Sequence, residues 1–496
     1  MGLGEMGFKN LNPKLLNREE KFTKVTRNFY IGLIAFAYLF QFGLNPAGAF
    51  YGDSTAYGAG EIRDWNLFSL TGHSLRNWPI VFVNLLFGDS TLQTASQFIF
   101  ATIVWANLIW NLHKFMRAKQ FLYSGFLVVI LAISPYVASW NSVLLGESYG
   151  ISLLVLTITI CFRWSYSKSE RDGICFFLCL LGWSSVQSRN YLALGVLLIV
   201  CLPLSLLLKK DSFNRRRMIF VAVLTVLFSY IGGISINQQN QNYDVAISYR
   251  ALSNLYTFAA HSQSGIIKSD LKNQPGFDCM NITSMTDVIE ISRKLVSDCP
   301  VALAWLENEY LHWYLKFLIA HPVYTSKLLL EGLAASNNPS EFYSGTISIA
   351  PPLFSGLFFG SRNYSFGSFE NVGNKMILVE NDKQQLVVIT KGDTKSYNAV
   401  KANAPIFLWI FLGLSLVIFR VRQFLSQKKQ KNLADLDPMF LILVLSILGF
   451  VINLLICPAE YFKLTIQYSI ALFLSVIMII SKIEFINPLF HVKNES

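Results

Sequence analysis

Residues 92–137 read LQTASQFIFATIVWANLIWNLH (92–113), KFMRAK (114–119) and QFLYSGFLVVILAISPYV (120–137). Two long apolar stretches flank a short link that carries Lys114, Arg117 and Lys119. Wound as helices at about 1.5 Å per residue, such stretches cross the roughly 30 Å hydrocarbon core of a bilayer. A short, basic link between them is the pattern of a cytoplasmic loop. The rest of the chain repeats this pattern. Apolar runs fall at 29–49, 92–113, 120–137, 146–163, 173–187, 190–208, 218–236, 405–420, 438–457 and 464–481. The reading is an all-α polytopic membrane protein of about ten transmembrane helices. Pro135 and Gly232-Gly233 inside runs are tolerated in membranes and do not break the count on this reading.

Composition agrees. Of 496 residues, 53% are hydrophobic and only 14% charged, against about 25% charged in soluble domains. An ordinary soluble enzyme, a disordered chain and a disulfide-dense secreted module are excluded. The net charge of +11 is a topology signal rather than a nucleic-acid one. Its cations gather in alternate short loops: Arg163, Lys168 and Arg171; Lys209, Lys210 and Arg215-Arg216-Arg217; Arg420, Arg422, Lys428, Lys429 and Lys431. These face anionic headgroups from the cytoplasm, which puts both termini there. Ala47-Gly48-Ala49 mimics a cleavage site, but the long basic segment before it favours an uncut anchor.

Three regions follow: 1–236, with seven spans and an outer loop at 50–91; a large extracytoplasmic region at 237–404; and 405–496, with three spans. The large region holds Cys279 and Cys299, which in an oxidising compartment would bond and close a loop of about 20 residues, worth roughly 3 kcal/mol; two free thiols are the alternative. Cys161, Cys175, Cys179 and Cys201 read as apolar packing residues. Residues 286–335 have helical periodicity, with Leu303, Leu306, Tyr310, Trp313, Tyr314, Phe317 and Leu318 near one stripe. That stripe suits a bilayer surface or the sides of the spans. Residues 374–391 read as a hairpin about Asn381-Asp382. No internal repeat is visible.

The first outer loop carries Asp53 just beyond the first span. A carboxylate half desolvated by protein and lipid is a workable general base for a hydroxyl. The competing role is a helix N-cap.

The pattern Asp53-x3-Tyr57-x-Ala59-x2-Ile62 resembles the first-loop signature of the class C (GT-C) membrane glycosyltransferases, which use sugars carried on polyprenyl phosphates. Further elements resemble that superfamily in the same order: Trp78-Pro79 with Asn84-Leu85-Leu86-Phe87-Gly88, Leu145-Gly146-Glu147-Ser148, His321-Pro322-x-Tyr324 and Glu460-Tyr461-x-Lys463. Each is short and degenerate. The resemblance implies a helix bundle with an extracytoplasmic cavity roofed by loop helices. It also implies transfer of a single sugar from the lipid donor to a glycan, lipid or protein acceptor of the cell envelope. Asp53 would be the base of an inverting displacement, and Tyr57, Glu460 and Tyr461 would join the substrate contacts. The implied location is a bacterial cell membrane with an extracytoplasmic active site.

The leaving phosphate needs cations near the outer interface. Arg63, Arg189 and Lys463 are the candidates, ahead of Arg362; snorkelling to headgroups is the plain alternative. Glu147 would orient an acceptor hydroxyl or cap its helix. The site is read as needing no cofactor. In members with paired acids and a divalent cation, Glu61 and Asp64 would serve, whereas Asp53 and Glu61 lie roughly 12 Å apart if helical. His73 and His321 read as satisfied polar residues. Trp65, Trp78, Tyr136, Trp140 and Tyr461 fit an interfacial aromatic belt. Competing functions are a transporter or flippase, disfavoured by the missing repeat, and a polymerase or ligase of lipid-linked glycans, which needs paired Arg clusters that the large loop lacks.

Overall fold

The computed structural model describes residues 13–44, 90–142, 146–167, 169–186, 265–280, 298–337, 438–456 and 461–482, the short strands between 346 and 390, and isolated residues elsewhere. Its body is all-helical. The main elements are α1 (Pro13–Leu44), α2 (Ser90–Phe115), α3 (Ala118–Ile133), α4 (Gly146–Ser167), α5 (Glu170–Val186), α6 (Gly265–Leu271), α7 (Pro300–Asn308), α8 (Tyr310–Ala320), α9 (Pro322–Asn337), α10 (Pro438–Ile456) and α11 (Tyr461–Lys482). The expected spans at 190–208 and 218–236, and most of 405–420, lie outside the described residues.

Side-chain contacts give the helix directions. The Tyr30 and Tyr38 hydroxyls donate to the Leu122 and Ala132 carbonyls at 3.1 and 2.9 Å, so α1 and α3 run parallel. Arg27 lies 4.0 Å over the Trp110 ring, while Tyr38 packs edge-on against Phe98, so α1 and α2 are antiparallel. Ser96 meets Tyr149 and Phe115 meets Phe162, so α2 and α4 are parallel. Trp164 stacks on Phe176, closing α4 and α5 into a hairpin. A chain reversing at each short connection packs in this way.

Helix α4 is central, touching α2, α5, α10 and α11. Its first seven residues, Gly146 to Ser152, are all buried. Two helices, Thr91–Phe115 and Gly146–Ser167, are long and apolar enough to cross a membrane, each with mean hydropathy 1.3. The bundle is also apolar on its outside. Phe22, Val25, Phe29, Phe36 and Leu39 form an exposed stripe on α1, Leu92, Ile99, Ile103 and Trp110 one on α2, and Phe126 and Leu127 lie exposed on α3. Apolar outward faces beside two helices of spanning length and composition point to membrane association.

Three features differ from the sequence reading. Helix α1 begins at Pro13, well before the apolar run at 29–49. Its polar half is held by a packed face on which Thr23 and Arg27 are buried. The helix of the third run ends at Ser134, short of the expected bound at 137. The ring of Pro135 forces the preceding residue out of helical geometry, and Ser134 sits at φ −60°, ψ 145°, with its hydroxyl capping the Leu131 carbonyl. A helical turn (Pro135–Ala138) and a 3-10 turn (Ser139–Ser142) follow. They carry Trp140 into the core with no exposed surface, so Trp140 does not belong to an interfacial belt.

The large loop builds a second core. The expected stripe turns inward: Leu306, Tyr310, Tyr314, Phe317 and Leu318 are buried, together with Leu255, Ile267 and Leu295. Tyr314 donates to the Leu455 carbonyl at 2.8 Å, fixing this core to the carboxyl end of α10. The stripe thus faces a core of the large loop's own residues, joined to α10 at Leu455. A disulfide joins Cys279 to Cys299, with Cα atoms 6.0 Å apart. Beside it Gly276 has φ 72°, and a Cβ there would lie 2.6 Å from the Ala302 amide nitrogen, so glycine alone fits. Farther on, Lys375–Glu380 pairs antiparallel with Lys383–Gln384 in the register Glu380↔Lys383. The pairing agrees with the hairpin reading, whose turn residues Asn381 and Asp382 lie outside the described residues. A further strand, Phe369–Val372, pairs on the other side of Lys375–Glu380.

Candidate functional site: a buried polar layer at one end of the bundle

The two ends of the bundle differ in chemistry. At one end the described side chains are mainly basic: Lys21, Lys24 and Arg27 of α1 beside Glu20, Lys114 after Trp110, Arg117 and Lys119 at the start of α3, and Arg163 and Arg171 at the α4–α5 turn. The acid Asp172 sits among them. It accepts from the Arg163 guanidinium at 2.5 Å and from the Ser167 hydroxyl at 2.5 Å. Burial pushes its pKa up, but the Ser167 and Arg163 hydrogen bonds and the Arg163 charge outweigh that and hold the carboxyl below its usual range. This corner is a structural staple closing the hairpin.

At the opposite end the helices carry uncharged hydrogen-bonding groups around one carboxyl. Gln93, Thr94 and Gln97 open α2, Asn141 lies in the 3-10 turn, Glu147, Ser148 and Ser152 open α4, Ser184 closes α5, and Thr465 and Gln467 open α11; all are buried. Asn141 hydrogen-bonds the Tyr38 hydroxyl. Ser96 and Tyr149 share a 2.6 Å bond. The Thr94 and Ser148 hydroxyls, by contrast, are buried with no hydrogen-bond partner among the described residues. Buried polar groups are nearly always satisfied, so these two hydroxyls, at the same end of the bundle as the buried Glu147, make this layer the candidate site. An ionisable residue in such a layer is costly and is a functional candidate by default.

Helix α11 closes this layer. The Trp183 indole N–H donates to Gln467 Oε1 at 2.6 Å. A Cβ on Gly150 would collide with the Gln467 amide, so α4 and α11 approach closely at that level. Helix α11 stays buried from Thr465 to Ile479 and therefore runs back through the bundle parallel to α4. Glu147 stands three residues before Gly150, and Lys463 stands four before Gln467. Each is about one helical turn from the contact, on the same side of its helix. The two registers bring the Glu147 and Lys463 positions to one level on facing sides of α4 and α11.

Tyr461, the first residue of α11, lies at this end too. Asp53, Tyr57, Glu61, Arg63, Asp64, Arg189 and Glu460 lie outside the described residues, as do His73 and Arg362. Helices α1 and α5 both end here, at Leu44 and Val186. His321 is a structural residue. It caps α8 through its amide to Phe317, accepts from Thr325 and packs its ring 4.6 Å from Phe317, so His321-Pro322-x-Tyr324 makes the α8–α9 corner. Among the described residues no group of three or more His, Cys, Asp or Glu could hold a metal ion.

The sequence reading missed Gln93, Thr94, Gln97, Trp183 and Gln467. A signal existed for some of them. Gln93 and Gln97 are four apart, and Ser148 and Ser152 repeat that spacing, so each pair lies on one helix face in the first turns of an apolar run. The Trp183–Gln467 contact joins residues 284 apart in sequence, and no local pattern announces it.

No protein-family model, curated protein or solved structure matches this chain.

Proposed function

We propose that this protein is a multi-pass membrane glycosyltransferase of GT-C type, with about ten spans. On this reading the basic end faces the cytoplasm with both termini, and the Glu147 end faces the exterior. The polar layer around Glu147, on helices whose outward faces are apolar, is the observation that carries it. A buried carboxyl and open hydroxyls at the exterior end of an apolar bundle suit a polar sugar, and an apolar flank suits the polyprenyl chain that delivers it.

In the proposed reaction the lipid-linked sugar enters from the bilayer. Lys463, with Arg189 and Arg63, neutralises its phosphate. The carboxylate of Asp53 takes the proton of the acceptor hydroxyl as that oxygen bonds to the anomeric carbon. The bond from that carbon to the phosphate oxygen breaks, and polyprenyl phosphate leaves with the electron pair. Glu147 and the Ser148 hydroxyl orient the reacting sugar, and Tyr57, Glu460 and Tyr461 line the approach. The Cys279–Cys299 bridge is consistent with an oxidising exterior for 237–404.

The test is transfer from synthetic polyprenyl-phosphate mannose, glucose, galactose and arabinose to cell-envelope acceptors by the purified protein in lipid. Asp53→Asn should lower the rate by about 10²–10⁴-fold without altering expression or the disulfide. Near wild-type transfer by that variant removes Asp53 from the base role. Movement of an intact lipid-linked glycan across the bilayer, with no glycosidic bond formed, replaces the enzyme with a flippase.

A further inference from the structure

Helices α8 and α9 present a second face, opposite the one that builds their core. On α8 it consists of His312, Leu315, Lys316 and Ile319, and on α9 of Val323, Ser326, Lys327 and Leu330. Each set keeps the three- and four-residue spacing of a single stripe. Leu315 is 47% exposed, Leu330 58%, Ile319 81% and Val323 83%. The last two are the most exposed large hydrophobic side chains among the described residues. The stretch 310–330 contains no Asp or Glu, and Glu309 and Glu331 stand directly at its two ends.

We propose that this face docks into the outer leaflet of a lipid bilayer, with Leu315, Ile319, Val323 and Leu330 in the acyl boundary and Lys316 and Lys327 on anionic headgroups. Apolar side chains interleaved with lysine, and no acid among them, are the composition of an interfacial helix. The lysines on it complement anionic phosphates. Position argues the same way. Tyr314, on the inner side of α8, is bonded to the last turn of α10, and Leu329 of α9 packs against the bundle core. The exposed face therefore sits at the level where the apolar flank of the bundle ends and a headgroup layer begins. It would anchor the large loop beside the mouth of the polar layer.

This inference rests on the membrane reading above, and the test separates the two. The full chain, with Cys161, Cys175, Cys179, Cys201 and Cys457 replaced by alanine and the disulfide kept, is reconstituted in phosphatidylcholine–phosphatidylglycerol vesicles. Spin labels are placed singly at Ile319→Cys, Val323→Cys, Leu127→Cys on the exposed apolar face of α3, and Asn308→Cys. Collision with oxygen reports lipid, and collision with a water-soluble nickel chelate reports water. The labels at 319 and 323 should show several-fold higher oxygen-to-nickel ratios than the label at 308, approaching that at 127. If 319 and 323 follow 308 while 127 keeps its lipid signature, the docking face is refuted and the membrane reading stands. A water signature at 127 refutes the membrane reading and the inference with it. Labels at 319 and 323 shielded from both reagents mean that a protein, such as a second copy of this chain, covers the face, and that outcome also overturns the proposal.

Discussion

The bond from the Trp183 indole to Gln467 is the sharpest quantitative test of the polar layer. It ties α5 to α11, the amino-terminal helices to the carboxyl-terminal pair, at the level of Gly150. Gln467→Leu removes the acceptor and leaves a fully buried indole N–H without it. A buried donor stripped of its partner costs about 1–3 kcal/mol, and hydrogen bonds within membrane bundles average about 0.6 with a ceiling near 1.7. The single change should therefore cost about 1–2 kcal/mol. Trp183→Phe removes the donor and also empties the space of a buried ring that packs edge-on against Tyr468, so its cost should be larger. The double variant leaves no stranded indole donor. It should be destabilised by about 1 kcal/mol less than the two single costs together, the coupling expected of contacting residues. The measurement is reversible unfolding by sodium dodecyl sulfate in mixed micelles, followed by circular dichroism. Strict additivity, or a neutral Gln467→Leu, would refute the bond as the tie between the two halves.

Two further outcomes follow from described contacts. The Asp172 carboxyl has a folded pKa below its unfolded value, so its contribution is present above the unfolded value of about 3.9 and is lost as pH falls through the folded one. Asp172→Asn should flatten the acid limb of an unfolding-against-pH curve; an unchanged limb would show that the Arg163–Asp172–Ser167 staple is energetically idle. Thiol counting with a maleimide under denaturing conditions should find two of the seven cysteines protected until a reductant is added, and reduction should lower stability by about 3 kcal/mol. Labelling of Cys279 and Cys299 without reductant would remove the bridge.

The α2–α3 pair was readable from residues 92–137 alone, because apolar length and a basic link are local properties and both survive into the structure. The same holds for the segregation of cations to one end of the described bundle: Lys114, Arg117, Arg163 and Arg171 stand in short links whose side follows from counting reversals. The bridge partners and the hairpin about Asn381-Asp382 were also legible, from Cys spacing and from turn chemistry. The helix end at Ser134 needed only a stricter reading of Pro135, since the steric effect of proline on its predecessor does not depend on the rest of the fold. Tertiary structure alone decided which faces meet. Hydropathy does not distinguish the inward from the outward side of a helix that is apolar all round, so Trp140 could be assigned to an interface when it is wholly enclosed. Nor does local sequence align α4 with α11. That register is set where Gly150 lets the Gln467 amide come close and Trp183 holds it, through contacts between residues hundreds of positions apart. That the Glu147 and Lys463 positions fall at one level of α4 and α11 follows from that packing.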